Sequence, residues 1–275
     1  MSKDIQQQKK LKVLLIGDSC VDEYYYGRCV RLNPESPSPL LNIKNTEILE
    51  GMSGNVKKNL EGLGMIVDHF TNKEEIKKTR FVDDQYNVQL LRVDKQPNIK
   101  KIDISLLKDE LNSKVKDLDC VVFSDYDKGY LEKNDMLAII EYVRSFKKDL
   151  RIFIDTKKRD LSNFENCYIK VNEAEYESWI KHPKENCKII VTLGEKGAMF
   201  KSTVYPAKNI NLNSVTNIGD RCGAGDTFFS GFIYYSTLGN NIPDCISFAN
   251  YCAALSVKKI GVYQLKEADL ENFCV

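Results

Sequence analysis

Asp226 closes the run Asp220-Arg221-Cys222-Gly223-Ala224-Gly225-Asp226-Thr227. Gly223, Ala224 and Gly225 carry almost no side-chain bulk, so this loop can bring its backbone N–H groups close to a ligand. An apolar run from Phe228 to Leu238 follows and ends on Gly239. That pattern predicts a buried helix with a glycine C-cap, and puts Asp226 in its first turn. Helix N-termini favour anions, because their N–H donors are unused and the dipole end is positive. A carboxylate beside such an anion hole makes sense if Asp226 takes a proton from a hydroxyl while the amides hold a phosphoryl group. An aspartate that only caps a helix accounts for the same residues taken alone.

The rest of the chain supplies elements that could position this chemistry. Lys12 to Gly17 reads as a buried strand, with Asp18 and Asp22 beyond its end. Further strands, Cys120–Phe123, Arg151–Ile154, Tyr168–Val171 and Lys188–Thr192, run into Asp125, Asp155, Asn172 and Thr192. Strand after strand delivers a polar residue at its carboxyl end, which is the pattern of a mostly parallel sheet with its site along one edge. Helices are expected over 56–63, 104–116, 134–146, 226–238 and 244–258, and one antiparallel strand over 199–204. The tyrosine run Tyr24-Tyr25-Tyr26, the prolines Pro34, Pro37 and Pro39, and a hairpin around Asp83-Asp84-Gln85-Tyr86 predict β segments that leave the main sheet. They form a lid at about 23–50 and 77–95, on a domain spanning 11–275, with residues 1–10 as a mobile tail. Gly51 to Asn55 offers another close backbone approach before a helix.

Composition narrows the partners. A net charge of +1 gives no reason to expect nucleic acid or a membrane surface. The polar start has no apolar signal core, and a cytoplasmic protein is expected. The nine cysteines form no CxxC pair and read as small buried hydrophobes in a reducing compartment, Cys120, Cys167, Cys187 and Cys252 among them. With only His69 and His182 present, a histidine-rich metal site is excluded.

Taken together, these residues resemble the ribokinase-like (PfkB) family of sugar kinases, from Lys12 to about Gly261. The matching motifs are Asp220-x-x-Gly223-Ala224-Gly225-Asp226-Thr227, Asn172-x-x-Glu175 and Val191-Thr192-x-Gly194-x-x-Gly197. Within the family the chain is most similar to the heptose-7-phosphate kinases of ADP-heptose synthesis. That similarity rests on Gly17-Asp18-x-x-x-Asp22-x-Tyr24-x-Tyr26-Gly27, Arg31-x-x-Pro34-Glu35-x-Pro37-x-Pro39 and Ser124-Asp125-Tyr126-x-Lys128-Gly129. The resemblance implies a three-layer α/β sandwich with a mostly parallel sheet and a small β lid. It implies that Asp226 is the base for a sugar hydroxyl attacking the γ-phosphate of ATP, and that Gly223, Ala224 and Gly225 stabilise the moving charge. Asn172 and Glu175 would organise Mg²⁺ through water. Thr192, Gly194 and Gly197 would border the nucleotide, with Asn250 near the adenine. Asp22, Gly51 and Asn55 would line the sugar, with Asp125 on the same side. Arg80 and Lys128 would bind its phosphate, and Arg28 and Arg92 are weaker candidates. The resemblance leaves room for a monovalent cation, for a homodimer through the lid, and for a separate nucleotidyltransferase acting on the product.

Three departures from the family pattern bear on specificity. Met52 stands where relatives have the second of two glycines, Cys222 where many have threonine, and only a short connection fits between Phe70 and Thr79. A kinase of another sugar or sugar phosphate, or a non-catalytic binding relative, fits the same motifs. A GDS-type hydrolase using Ser19 does not, because that chemistry needs a late Asp-x-x-His. No histidine follows His182, and the residue three before it is Trp179.

Overall fold

The computed structural model describes residues 10–207, 223–257 and 263–273. The expected tail, apart from Lys10, and Asp220, Arg221 and Cys222 lie outside the described residues.

Period-two burial builds the main sheet. In β1 (Lys12–Gly17), Val13 and Leu15 face one layer while Leu14 and Ile16 face the other, and all four are buried. β7 (Cys120–Asp125) divides the same way, Cys120 and Val122 against Val121 and Phe123. A strand buried on both faces needs a helical layer on each side. One layer holds α2 (Ile104–Leu111) and α3 (Lys133–Phe146), through Leu107, Leu111, Met136, Ile139 and Val143. The other holds α1 (Ser53–Gly62), α5 (Ala224–Thr237) and α6 (Ile242–Ser256), through Val56, Leu60, Phe228, Phe232 and Ile246. The product is a three-layer α/β/α sandwich.

With β4 (Ile66–Phe70), β8 (Arg151–Thr156), β9 (Tyr168–Asn172), β10 (Lys188–Thr192), β11 (Ala198–Phe200) and β12 (Thr203–Tyr205), the eight-stranded order is β12-β11-β10-β9-β8-β7-β1-β4. Pairing is parallel from β10 to β4 and antiparallel through β11 and β12. The short helix α4 (Glu173–Glu177) follows β9 directly, and α7 (Glu267–Glu271) closes the described chain. Among the described residues no helix is long and apolar enough to cross a membrane.

A second, four-stranded sheet, β3-β2-β5-β6, stands apart from the first. It is built from β2 (Ser19–Leu32), β3 (Pro39–Met52), β5 (Ile76–Asp83) and β6 (Val88–Lys95). These are the segments whose tyrosines, prolines and hairpin turn predicted strands leaving the main sheet. Residues 71–75 alone join β4 to β5, as the short connection after Phe70 requires. Asn72 secures that link: it accepts from Ser19 N at 2.8 Å and donates to Ser19 O and Glu74 O at 3.2 and 2.6 Å.

Several expectations need correcting. Ala224 and Gly225 do not form a loop; Gly223, at φ 83°, caps the helix and Ala224 is its first residue. The strand expected over 199–204 is two, separated by a turn at Lys201, φ 55°. The helix expected to Lys116 ends at Leu111, and Val115 reaches the core from a separate 3₁₀ turn. Helix α1 starts at Ser53 rather than Val56.

Candidate active site

Asp226, in the first turn of α5, is 6% exposed, with Asn55 of α1, Tyr126 of the loop after β7, Asp155 of β8 and Lys170 of β9 around it. Asn55 donates its amide to Asp226 Oδ2 at 3.0 Å, and the Tyr126 hydroxyl donates to Oδ1 at 2.5 Å. Burial pushes the Asp226 carboxyl above the usual carboxylate range, opposed by these two donors and by Lys170. No side chain among the described residues caps α5, so the amides of Ala224, Gly225 and Asp226 lack intrahelical partners.

Two further charged groups stand here that the sequence does not mark as site residues, Lys170 and the strand-end Asp155. Lys170 Nζ donates to Asp155 Oδ2 at 2.8 Å, and both side chains are buried. A Cβ on Gly225 would sit 3.1 Å from Lys170 Nζ, so the absent side chain leaves room for an ammonium beside the helix start. Burial alone would lower the Lys170 ammonium, but Asp155, Asp226 and Glu175 together carry it above the ordinary lysine value. Asp155 Oδ1 is buried without a hydrogen-bond partner among the described residues. A lysine inside a strand gives no sequence signal; its place beside Gly225 exists only in the folded chain.

Asp18 positions part of this site from below. It is fully buried and accepts from the amides of Tyr126, Lys128 and Tyr130 at 2.8, 3.2 and 3.4 Å. The loop that presents Tyr126 and Lys128 is thus moulded around one carboxylate. Asp125 is committed to the same scaffold and does not line the cavity: Thr156 donates to it at 2.6 Å, the Asp127 amide at 2.9 Å, and Lys158 lies at 3.4 Å.

A cavity of about 270 Å³ opens between the two sheets, next to Tyr126. Lys78, Arg92, Asp94, Ile76 and Met52 line it from the small sheet, and Tyr126, Lys128 and Lys157 from the loops of the main one. Lys78 and Lys157 both lie over the Tyr126 ring, 5.7 and 5.3 Å from its centre. Arg92 pairs with Asp94 and Lys157 with Glu175, so the wall carries an excess of positive charge. Met52 reaches this wall from a φ of 56°, a conformation that favours glycine. A residue with a side chain therefore holds this position at a backbone cost.

Arg80 does not reach the cavity. It is buried in an ion pair with Asp22 and lies over the Tyr24 ring at 4.9 Å. Gly51 makes room for that pair, since a Cβ there would fall 1.9 Å from Asp22 Oδ2. Arg28 is exposed, 3.6 Å from Asp84 on the small sheet. On the β9 side, Asn172 and Glu175 form a reciprocal capping box on α4: the Asn172 side chain accepts from Glu175 N, and Glu175 accepts from Asn172 N. Thr192 ends β10 and donates to Val171 O at 3.2 Å. Gly194 is exposed with open space around it, whereas Gly197 packs against the Tyr205 carbonyl. Asn250 is buried and holds the Tyr205 and Pro206 carbonyls at 3.0 and 3.1 Å.

The sequence profile described as pfkB family carbohydrate kinase matches residues 87–269. The bifunctional protein HldE of Aliarcobacter butzleri is 27% identical over 303 residues, covering 92% of this chain and 62% of the relative. The chain therefore spans under two-thirds of that protein. Among solved structures, phosphofructokinase-2 from Escherichia coli in complex with potassium superposes with a TM-score of 0.67 at 12% identity, covering 96% of this chain and 97% of the other. Arabidopsis thaliana ribokinase complexed with ribose and ATP gives 0.64 at 14%, covering 95% and 98%. At these identities the two structures speak for the fold, which is the ribokinase-like sandwich with its small second sheet.

Proposed function

The chain belongs to the pfkB family of carbohydrate kinases, and we propose that it phosphorylates a sugar that already carries a phosphate. The acceptor proposed is the anomeric hydroxyl of D-glycero-D-manno-heptose 7-phosphate, giving the 1,7-bisphosphate. The observation that carries this reading is the cationic cavity beside Tyr126 and Asp226. A neutral sugar needs no excess of lysine; a phosphate monoester does. The HldE relative supports the heptose reading by its similarity over most of this chain.

Asp226 takes the proton of the attacking hydroxyl, and Asn55 keeps its second oxygen oriented. The Tyr126 hydroxyl occupies the oxygen that the acceptor must reach, so it yields or shares that position as the sugar enters. The amides of Ala224 and Gly225 and the Lys170 ammonium stabilise charge on the transferring phosphoryl group. Asn172 and Glu175 would organise Mg²⁺ through water, and the unpartnered Asp155 Oδ1 offers it a further oxygen; when bound with ATP the ion would neutralise phosphate charge. Thr192, Gly194 and Gly197 then border the nucleotide, and the small sheet acts as the lid over the sugar.

Met52 favours a second reading, in which a different sugar phosphate is the acceptor, because its side chain narrows the cavity. ATP consumption with Mg²⁺ against a panel of free and phosphorylated sugars separates the two. Turnover with the heptose phosphate and not with the other members is the expected result. Turnover with another phosphorylated sugar reassigns the acceptor, and turnover confined to free sugars overturns the proposal.

A further inference from the structure

The amino ends of β9 and β10 lie at the edge of the sheet opposite Asp226. Cys167 immediately precedes β9 and Cys187 immediately precedes β10. The strands are parallel, with Tyr168 level with Lys188, and Lys188 N donates to Cys167 O at 2.8 Å. The two cysteines are thus neighbours on adjacent paired strands, whose spacing of about 4.8 Å falls inside the Cα separation that a disulfide spans. Their side chains converge as well. Cys167 Sγ lies 3.0 Å from Glu165 O and Cys187 Sγ 3.3 Å from Phe164 O, consecutive carbonyls of one turn. Arg144 holds that turn from α3, donating to Glu165 O and Asn166 O at 3.0 and 2.8 Å. Both cysteines are expected from the sequence to be buried; Cys167 is, but Cys187 is partly exposed.

The geometry points to a redox-sensitive dithiol: Cys187 and Cys167 close to an intramolecular disulfide when the protein meets a peroxide. The contact with Cys167 holds the Cys187 thiol below its ordinary value, and the same contact with burial pushes Cys167 above it. The division of labour follows from exposure and thiolate character. The Cys187 thiolate attacks one peroxide oxygen, the O–O bond breaks, and the released hydroxide takes up the proton that Cys187 lost. Cys187 is then a sulfenic acid, oxidised by two electrons. The Cys167 sulfur attacks the Cys187 sulfur, the S–O bond breaks, and water leaves with the Cys167 proton. In sum, two thiols and one hydrogen peroxide give a disulfide and two waters. The new bond closes a covalent loop around β9 and α4, the corner that carries Lys170, Asn172 and Glu175.

The test treats the reduced full chain with equimolar hydrogen peroxide, blocks remaining thiols, and maps cysteine peptides by mass spectrometry. The expected product is a linked pair of Cys167 and Cys187 peptides, lighter by two hydrogen atoms. The melting temperature should rise by several degrees, and dithiothreitol should reverse the rise. In Cys167→Ser, a dimedone probe should label Cys187 as a trapped sulfenic acid; in Cys187→Ser, Cys167 should stay a free thiol. Both reduced variants should keep wild-type melting temperature within a few degrees and wild-type turnover. Two alkylatable thiols at 167 and 187 after peroxide treatment of the wild type would overturn the proposal, whether or not either variant folds. So would an unchanged rate of peroxide consumption in a folded Cys187→Ser.

Discussion

The centre around Asp226 and the wall of the cavity next to it are built on opposite principles. Asp226, Lys170, Asp155 and Asn55 are all buried, and each is held by a side chain from a different element. The cavity wall is made of long cations on strands and loops, with Arg92 and Asp94 exposed and Lys78 and Lys128 partly so. A buried, cross-bonded group cannot move without leaving another polar group unpaired, so its geometry is preorganised. An exposed lysine keeps its rotamers and adapts to what it binds. The buried centre is therefore rigid and the cavity wall adaptable, the division expected if the first carries the proposed transfer and the second the proposed acceptor binding.

Substitutions test that division. The largest effect is expected for Asp226→Asn, which keeps the shape and loses the base. Its kcat should fall by roughly 10²–10⁴-fold with ATP binding retained, as measured by steady-state kinetics and nucleotide titration. Near-normal turnover would remove Asp226 from the reaction. Lys170→Met should lose both stability and rate, because it leaves Asp155 buried without its partner. A cost of about 3–5 kcal/mol in denaturant unfolding is expected. A variant of full stability would show that the centre is less preorganised than its burial implies.

On the adjustable side, Lys78→Ala combined with Lys128→Ala should raise KM for the phosphorylated acceptor by about tenfold or more. Its kcat should change far less, and salt should weaken wild-type binding more than that of the double variant. An equal fall in kcat would place these lysines in the transfer step and blur the comparison. The smallest effect is expected for Tyr126→Phe, which straddles the two regions. Burial already raises the Asp226 carboxyl, and the Tyr126 hydroxyl opposes that rise. Removing the donor raises it further, so the protonated, inactive form should persist to higher pH. The acid limb of the kcat/KM profile should shift upward, with a few-fold change in kcat at neutral pH. A shift downward would contradict the assigned direction of the hydrogen bond.

Much of the fold was legible from local pattern. The strands from β7 to β10 read as apolar runs because both of their faces are covered, and each ended in a polar residue where the sheet ends. Helix α5 is legible from Asp226 onward; the pattern places its start two residues late, because the glycines flanking Ala224 disfavour a helix locally. β4 was missed: Ile66-Val67-Asp68-His69-Phe70 is an edge strand, only partly buried, and its composition is mixed. The 199–204 strand split because the positive φ at Lys201 is a turn that no glycine advertises.

By itself the sequence determined which residues could carry the chemistry: the small-residue start of α5, Asp226 within it, Asn55 after Gly51, and Lys128 in the loop after β7. Those signals are local, set by side-chain size, backbone freedom and spacing along a few residues. The tertiary structure alone decided what each group does with its charge. It turned Arg80 onto Asp22 and away from the cavity, because β2 and β5 pair in a register that puts both on one face of the small sheet. It brought Lys78 and Lys128 to a common wall, although one lies on the small sheet and the other in the loop after β7. It placed Lys170 between Asp155 and Gly225, because β8 and β9 pair in parallel and α5 returns over their carboxyl ends. Such pairings join segments far apart in the chain, so a local pattern of residues shows which face of a strand is buried but not which strand lies beside it.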